Sequence, residues 1–172
     1  MTTIPNASNL FYQTRLRRPM LDRAEGVYLW DTTGKRYLDG SSGAMVSNIG
    51  HSNPVVLDAM KRQMDKATFG YRLHFENEPA EQFATAIAQR MPEGLDRVFF
   101  VSGGSEAVES AIKIARQYAV AKGEASRWKV ISRFPSYHVS TLGALAVNGM
   151  SLMSAPFSPM MTEMPKIPAP TC

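Results

Sequence analysis

An apolar block that breaks at two glycines and resumes as a helix constrains this chain more than any other feature. Residues 97–118 read RVFFVSGGSEAVESAIKIARQY. Val98, Phe99, Phe100 and Val101 are uninterrupted apolar residues, the pattern of a strand covered on both faces. From Glu106 the period changes: Val108, Ala111, Ile112, Ala115, Tyr118 and Ala119 share one helical face, and Gly123 closes the helix. Gly103, Gly104 and Ser105 therefore stand where a strand ends and a helix begins. Such a junction presents free backbone N–H groups and the positive end of the helix dipole. Glycine admits a ligand close to the backbone, and Ser105 adds a hydroxyl, so the junction suits a phosphate. The same residues also serve as a plain helix start with Ser105 as its cap. No Gly-Lys-Ser/Thr follows, and the spacing is not Gly-x-Gly-x-x-Gly, which sets aside Walker and dinucleotide loops.

Downstream, WKVIS (128–132) reads as a second buried strand, RFPSYHVST as a loop and LGALAVNGM as a short apolar helix. Strand, helix, strand, helix predicts parallel βαβ units and an α/β domain. Loops after neighbouring parallel strands open on one edge of the sheet, where ligands bind. Tyr137 is thus placed to stack on a planar ring whose phosphate lies at 103–106, unless it is a packing or loop tyrosine. His138 and His51 are candidate general bases or hydrogen-bonded surface residues. A Ser105–His138 nucleophile pair lacks both a Gly-x-Ser-x-Gly elbow and a third member.

Upstream, residues 1–25 read as an irregular arm. Residues 26–39 form a hairpin around Asp31-Thr32-Thr33-Gly34, and 40–54 a loop rich in Gly, Ser and Asn. Asn53 and Pro54 open a helix whose stripe is Val56, Met60 and Met64, running to about Ala67. After the loop TFGYRLHFEN, Asn77 and Pro79 repeat the start signal, and Ala80, Phe83, Ala84 and Ile87 form the next stripe. Pro92 and Gly94 end it. Residues 151–172 contain five prolines and show no clear period, so they read as irregular. The expected organisation is an arm and hairpin over 1–50, the start of a large α/β domain over 51–150, and a proline-rich segment over 151–172.

Composition narrows the class. The net charge is only +4, and Arg15, Arg17, Arg18 and Arg23 lack interleaved aromatics or glycines, so they read as a solvated face and not a nucleic-acid surface. The one cysteine, Cys172, allows no disulfide framework and no cysteine-rich metal site. The N-terminus lacks the form of a secretory signal, and no stretch is long and apolar enough for a bilayer. A soluble cytoplasmic protein, without nucleic acid, membrane or metal, is expected.

The runs LDGSSGAMVSNIGHSNPVVLDAM, SGGSEAVESAIKIARQY and YH-x-ST resemble, in order and spacing, the class III pyridoxal-phosphate-dependent aminotransferases. That family includes the ω-amino acid, acetylornithine and 4-aminobutyrate transaminases, and the resemblance covers roughly residues 10–170. It implies the fold type I architecture: a large doubly wound α/β domain for the cofactor, a small domain made from both chain ends, and a homodimer. The implied reaction moves an amino group from an amine or ω-amino acid to a keto acid such as pyruvate. The implied cofactor residues are Gly103, Gly104 and Ser105 at the phosphate, with Glu106 beside them, and Tyr137 on the pyridine ring with His138 next to it. Residues 40–51, with Met45, and Phe69, Tyr71 and Arg72 are expected at the substrate pocket.

Three departures accompany the resemblance. Met45 stands where many ω-transaminases carry tryptophan. Val139 stands where the family commonly has glycine, and a β-branched residue there crowds the ring or stiffens the loop. The family's Schiff-base lysine and the aspartate facing the pyridine nitrogen lie beyond position 172; none of Lys35, Lys61, Lys66, Lys113, Lys122, Lys129 or Lys166 is in a matching context. The chain is therefore expected to supply binding parts without a catalytic residue. Exposed apolar faces at 98–101, 108–119 and 128–131 are expected to need the remainder of the enzyme, present as a separate polypeptide, for cover. The competing readings are a non-catalytic remnant that binds phosphate ligands or a partner chain, and a same-fold aminomutase or decarboxylase.

Overall fold

The structure is a computed structural model that describes residues 9–11, 16 and 18–170. Most of the expected N-terminal arm, with Arg15 and Arg17, and Cys172 lie outside the described residues. The chain divides into two compact units, one up to Glu78 and one from Pro79 onward.

The first unit is built on an antiparallel meander of β1 (Leu21–Glu25), β2 (Tyr28–Asp31) and β3 (Arg36–Leu38). The hairpin around residues 31–34 is as expected, but the segment before it is not wholly irregular. Leu21 to Glu25 pairs with β2 across a register shift between Leu21 and Arg23. What holds it is visible only in three dimensions: the Arg23 guanidinium lies 3.8 Å from the centre of the Trp30 ring, its cross-strand partner. The β2–β3 turn is organised by one carboxylate. Asp31 accepts hydrogen bonds from Thr33 N–H (2.9 Å), the Thr33 hydroxyl (2.6 Å), Lys35 N–H (3.1 Å) and the Tyr37 hydroxyl (2.7 Å). Gly34 takes the left-handed conformation the turn requires, φ 83°.

After the meander, the Gly- and Ser-rich stretch is a loop interrupted by a single kinked turn, α1 (Ser42–Met45). Asp39 spans it, accepting from Ser42 N–H at 2.8 Å and meeting His51 Nε2 at 2.7 Å. His51 in turn exchanges backbone hydrogen bonds with Gly26, at 2.7 and 3.0 Å. Helix α2 (Pro54–Lys66) starts where the sequence places it, with the Asn53 side chain accepting from Val55 N–H and Val56 N–H. Its stripe of Val56, Met60 and Met64 is exposed.

The second unit contains α3 (Glu78–Ala88), α4 (Gly104–Ala121), β4 (Ser132–Phe134), α5 (Leu142–Ala146), α6 (Ser151–Ser154), a 3₁₀ helix (Ala155–Met160) and β5 (Lys166–Pro168). Its core is the α5 segment, Ala144 to Asn148, together with Ala119 of α4. Three expectations are corrected here. Residues 97–101 are not a strand covered on both faces: neither sheet of the described residues includes them, and Phe99 and Phe100 are exposed. Phe100 stacks instead on Phe83, rings 5.2 Å apart and 10° from parallel. An apolar run signals a demand for burial; only a neighbouring segment turns it into a strand. The strand expected at 128–132 begins later, at Ser132, and Ile131 is exposed. Lastly, 151–172 is not irregular throughout. Pro156 and Pro159 lie in a 3₁₀ helix that tolerates them, Pro165 and Pro170 flank β5, and Pro168 ends it; β5 pairs in parallel with β4, Ser132 opposite Lys166 and Phe134 opposite Pro168. A parallel crossover is thus present, but from β4 through α5 and α6 to β5.

The donors around Asp31 lower its pKa to about 2, the Thr33 hydroxyl first and Tyr37 second. A depressed carboxylate pKa contributes stability that is fully present above the unfolded value near 3.8 and lost as pH falls through the folded value. Asp31→Asn should therefore be destabilising at pH 5 and above. The gap from the parent should close between pH 4 and 2, read as urea midpoints followed by Trp30 fluorescence. A gap that persists unchanged at pH 2 would refute the role given to Asp31.

Candidate functional site

Helix α4 opens at Gly104 with Gly103, extended at φ −171°, as its N-cap. Gly103 has no side chain to satisfy the first turn, so that task falls to others. Glu106 folds back and accepts from Ser102 N–H at 2.8 Å, which ties down the approach to the helix. The N–H groups of Gly104, Ser105 and Glu106 precede the first intrahelical bond, which runs from Ala107 N–H to Gly103 O at 3.0 Å. The junction thus offers three backbone N–H groups and one hydroxyl, a donor set without a cation of its own.

The segment after β4 is brought to this junction. Ser140 N–H donates to Ser105 Oγ at 3.3 Å, and a Cβ on Gly104 would come within 3.3 Å of Val139 Cγ1. At its other end the loop is fixed by Gly149, whose N–H donates to Ser136 O at 2.9 Å. A side chain at 149 would meet Arg133 O and, at 2.6 Å, Ser136 N, so glycine is demanded by close backbone approach. Ser136 closes the anchor by donating its hydroxyl to Arg133 O at 2.6 Å. Tyr137, His138 and Val139 are therefore suspended between two tethers. Tyr137 is exposed, while His138 lines a cavity of ≈ 640 Å³ between α4 and β4, walled by Val108, Ile112, Val130 and Val147. The two neighbours serve different spaces, and Ser105 bonds to Ser140, not to His138.

Val139 has φ 69°, the left-handed region that a β-branched residue adopts only under constraint. Its carbonyl receives a long hydrogen bond, 3.5 Å, from the amide of Asn148. Asn148 is fully buried, and its Oδ1 accepts nothing among the described residues. Sequence reading missed Asn148, Gly149 and Glu109. Glu109 looks from periodicity like an outward helix position, yet it accepts from the Thr141 hydroxyl at 2.7 Å and from Ala144 N–H at 3.0 Å. The pair Gly143-Ala144 in an otherwise ordinary short helix was the available signal.

The expected pocket residues lie in the first unit. Met45 is exposed, with φ 60°. Phe69 is exposed, and Tyr71 sets its ring edge-on to His74 at 5.1 Å. Arg72 stands in the same turn after α2. Among the described residues no group of three His, Cys, Asp or Glu is arranged for a metal ion, and no helix is long and apolar enough to cross a membrane.

The chain belongs to the class-III aminotransferases, whose family model matches residues 12–172. Among relatives, it is 45% identical over 152 residues to the uncharacterized aminotransferase YodT of Bacillus subtilis, covering 88% of this chain and 34% of that protein. Solved structures agree in fold. An (S)-enantioselective ω-transaminase from Thermomicrobium roseum superposes with a TM-score of 0.86 at 36% identity, over 95% of this chain and 38% of that one. The ω-transaminase of Pseudomonas jessenii in complex with PMP does so at 0.87 and 25% identity, over 95% and 38%. The fold is accordingly that of fold type I transaminases, a family of pyridoxal-phosphate enzymes. The chain spans about one third of the length of these proteins.

A left-handed conformation costs an L-residue about 1–2 kcal/mol, and the partial burial of the Val139 side chain returns part of that. Val139→Gly should then raise stability by about 1 kcal/mol, seen as a higher denaturant midpoint at unchanged slope. A lower midpoint would mean that Val139 packing outweighs its backbone cost.

Proposed function

We propose that this chain provides the phosphate-holding and ring-facing parts of a pyridoxal-phosphate-dependent aminotransferase. It acts on an amine or ω-amino acid as donor and a keto acid such as pyruvate as acceptor. The observation that carries the reading is the meeting of the α4 N-terminus with the Tyr137 loop through Ser105 and Ser140. That meeting supports reading the two neighbouring segments as a phosphate site and an aromatic face, complements of the phosphate and the ring that the cofactor presents.

The residues fit the group. Gly104 leaves its Cα face bare, where a Cβ would press on Val139, and the N–H groups of residues 104–106 converge at a helix start. Ser105 accepts from Ser140, which leaves its own proton to donate to a phosphate oxygen. Tyr137, exposed between its two tethers, offers a ring face. Glu106 puts a negative charge in the same first turn, but its carboxylate is engaged by Ser102 N–H. Pyridoxal phosphate, when bound, supplies an electron sink for bonds at the substrate carbon. This chain's part is to hold and orient it, within a homodimer; the lysine that handles the proton is supplied from outside these residues. The ω-transaminase likenesses support the donor class, and the complex of the P. jessenii enzyme with PMP supports the cofactor. Met45, Phe69, Tyr71 and Arg72 are the residues this chain would offer to the substrate.

The test separates holding from chemistry. Pyridoxine 5′-phosphate carries ring and phosphate but no aldehyde to react with surface lysines. It should bind the purified protein, and Ser105→Ala should weaken binding roughly tenfold, the value of a hydrogen bond to a charged group. Unchanged affinity would sink the phosphate assignment. Amino transfer to pyruvate or 2-oxoglutarate should appear only in preparations in which residues carrying the Schiff-base lysine accompany this segment.

A further inference from the structure

The Glu109 carboxylate leaves α4 and reaches the start of α5, where it accepts from the Thr141 hydroxyl at 2.7 Å and Ala144 N–H at 3.0 Å. Thr141 is the N-cap of α5, yet its own side chain makes no capping bond, so Glu109 caps that helix from another one. Gly143 shows that the sequence makes room for this. A Cβ there would collide with the Glu109 carboxylate, coming within 2.6 Å of Oε1 and 2.8 Å of Cδ and nearer still to Oε2. Glycine inside a helix is otherwise unfavourable. Thr141 directly follows Ser140, the residue tethered to Ser105. One side chain of α4 therefore sets where the Tyr137–Ser140 loop ends.

We infer that Glu109 is a positioning residue: it fixes the ring-facing Tyr137 loop against the phosphate cup by holding Thr141 and the α5 N-terminus, and Gly143 is its obligatory counterpart. This rests on the functional reading above. The phosphate contacts belong to α4 itself and do not need Glu109; the ring contact belongs to the loop and does. Loss of Glu109 therefore lowers the advantage of a ring-bearing phosphate over phosphate alone.

The readout is the ratio of affinities for pyridoxine 5′-phosphate and inorganic phosphate, the second measured by competition. Glu109→Ala should reduce that ratio roughly three- to tenfold, the range for loss of one aromatic contact, with phosphate affinity nearly unchanged. Glu109→Gln keeps a carbonyl oxygen for both donors and should retain the ratio. Gly143→Ala should reduce it as Glu109→Ala does, by expelling the carboxylate, and should add nothing in the Glu109→Ala background. Should Glu109→Ala fail to fold, the contrast of Glu109→Gln with Gly143→Ala decides alone. Equal ratios in all variants that fold would overturn the inference while leaving the functional reading intact. A parent protein that binds inorganic phosphate but shows no preference for the ring-bearing ligand would overturn both.

Discussion

The seating of residues 136–149 on α4 is the constraint on which the rest of the site depends. Val139 is in a backbone conformation that a free chain would leave, and Tyr137 is exposed, so neither residue's own burial sets the loop's shape. What sets it is a series of tethers on both sides: Gly149 N–H to Ser136 O, Ser140 N–H to Ser105 Oγ, and the Glu109 carboxylate to Thr141 and Ala144. Each is worth on the order of 1 kcal/mol, and together they exceed the cost at Val139. Strain of this kind persists only where the surroundings over-determine the backbone.

The first unit uses the same device. Asp31 gathers four donors at the hairpin turn, and Asp39 joins Ser41, Ser42 and His51 across the Gly/Ser-rich loop. The His51 hydrogen bond is the main reason that the Asp39 carboxyl lies below its usual pKa. Both units have few buried apolar side chains and many exposed ones, Leu38, Val46, Met60, Phe99 and Ile131 among them. With little core to specify them, the loops are specified by short acidic side chains whose several lone pairs can satisfy a whole turn.

The sequence shows these hubs unequally. Asn53 before Pro54 and the glycines before Ser105 carry local signals, because a cap or a helix start depends on residues within three or four positions. The hairpin at 31–34 was legible for the same reason. Strand 97–101 was misjudged because a ladder needs a partner far along the chain, and apolarity reports only the wish for one. Pairing of β4 with β5 was hidden behind prolines that usually exclude strands, yet Pro168 ends the ladder at its last position. Glu109 and Gly149 act across 32 and 13 positions, on Thr141 and Ser136 respectively, so no window of periodicity could reveal them. The family resemblance located the cup and the loop as sequence motifs; it did not show what ties one to the other.

The chemistry of the cup follows from which donors it contains. Glu106, without an ion pair among the described residues and bonded to Ser102 N–H, already places a negative charge where the α4 dipole is positive. Long-range attraction for an anion is thereby reduced at the helix start. What remains is short-range: N–H groups of residues 104–106 and the Ser105 proton, each effective only within hydrogen-bond distance. A site of that kind discriminates by fit more than by charge, since a dispersed field draws any anion whereas a few directed donors reward one geometry. Fit in turn depends on how firmly the α4 start and the 136–149 segment are held together. Of the carboxylates that organise loops, Glu109 is the one that holds this segment to α4, through Thr141 and Ala144.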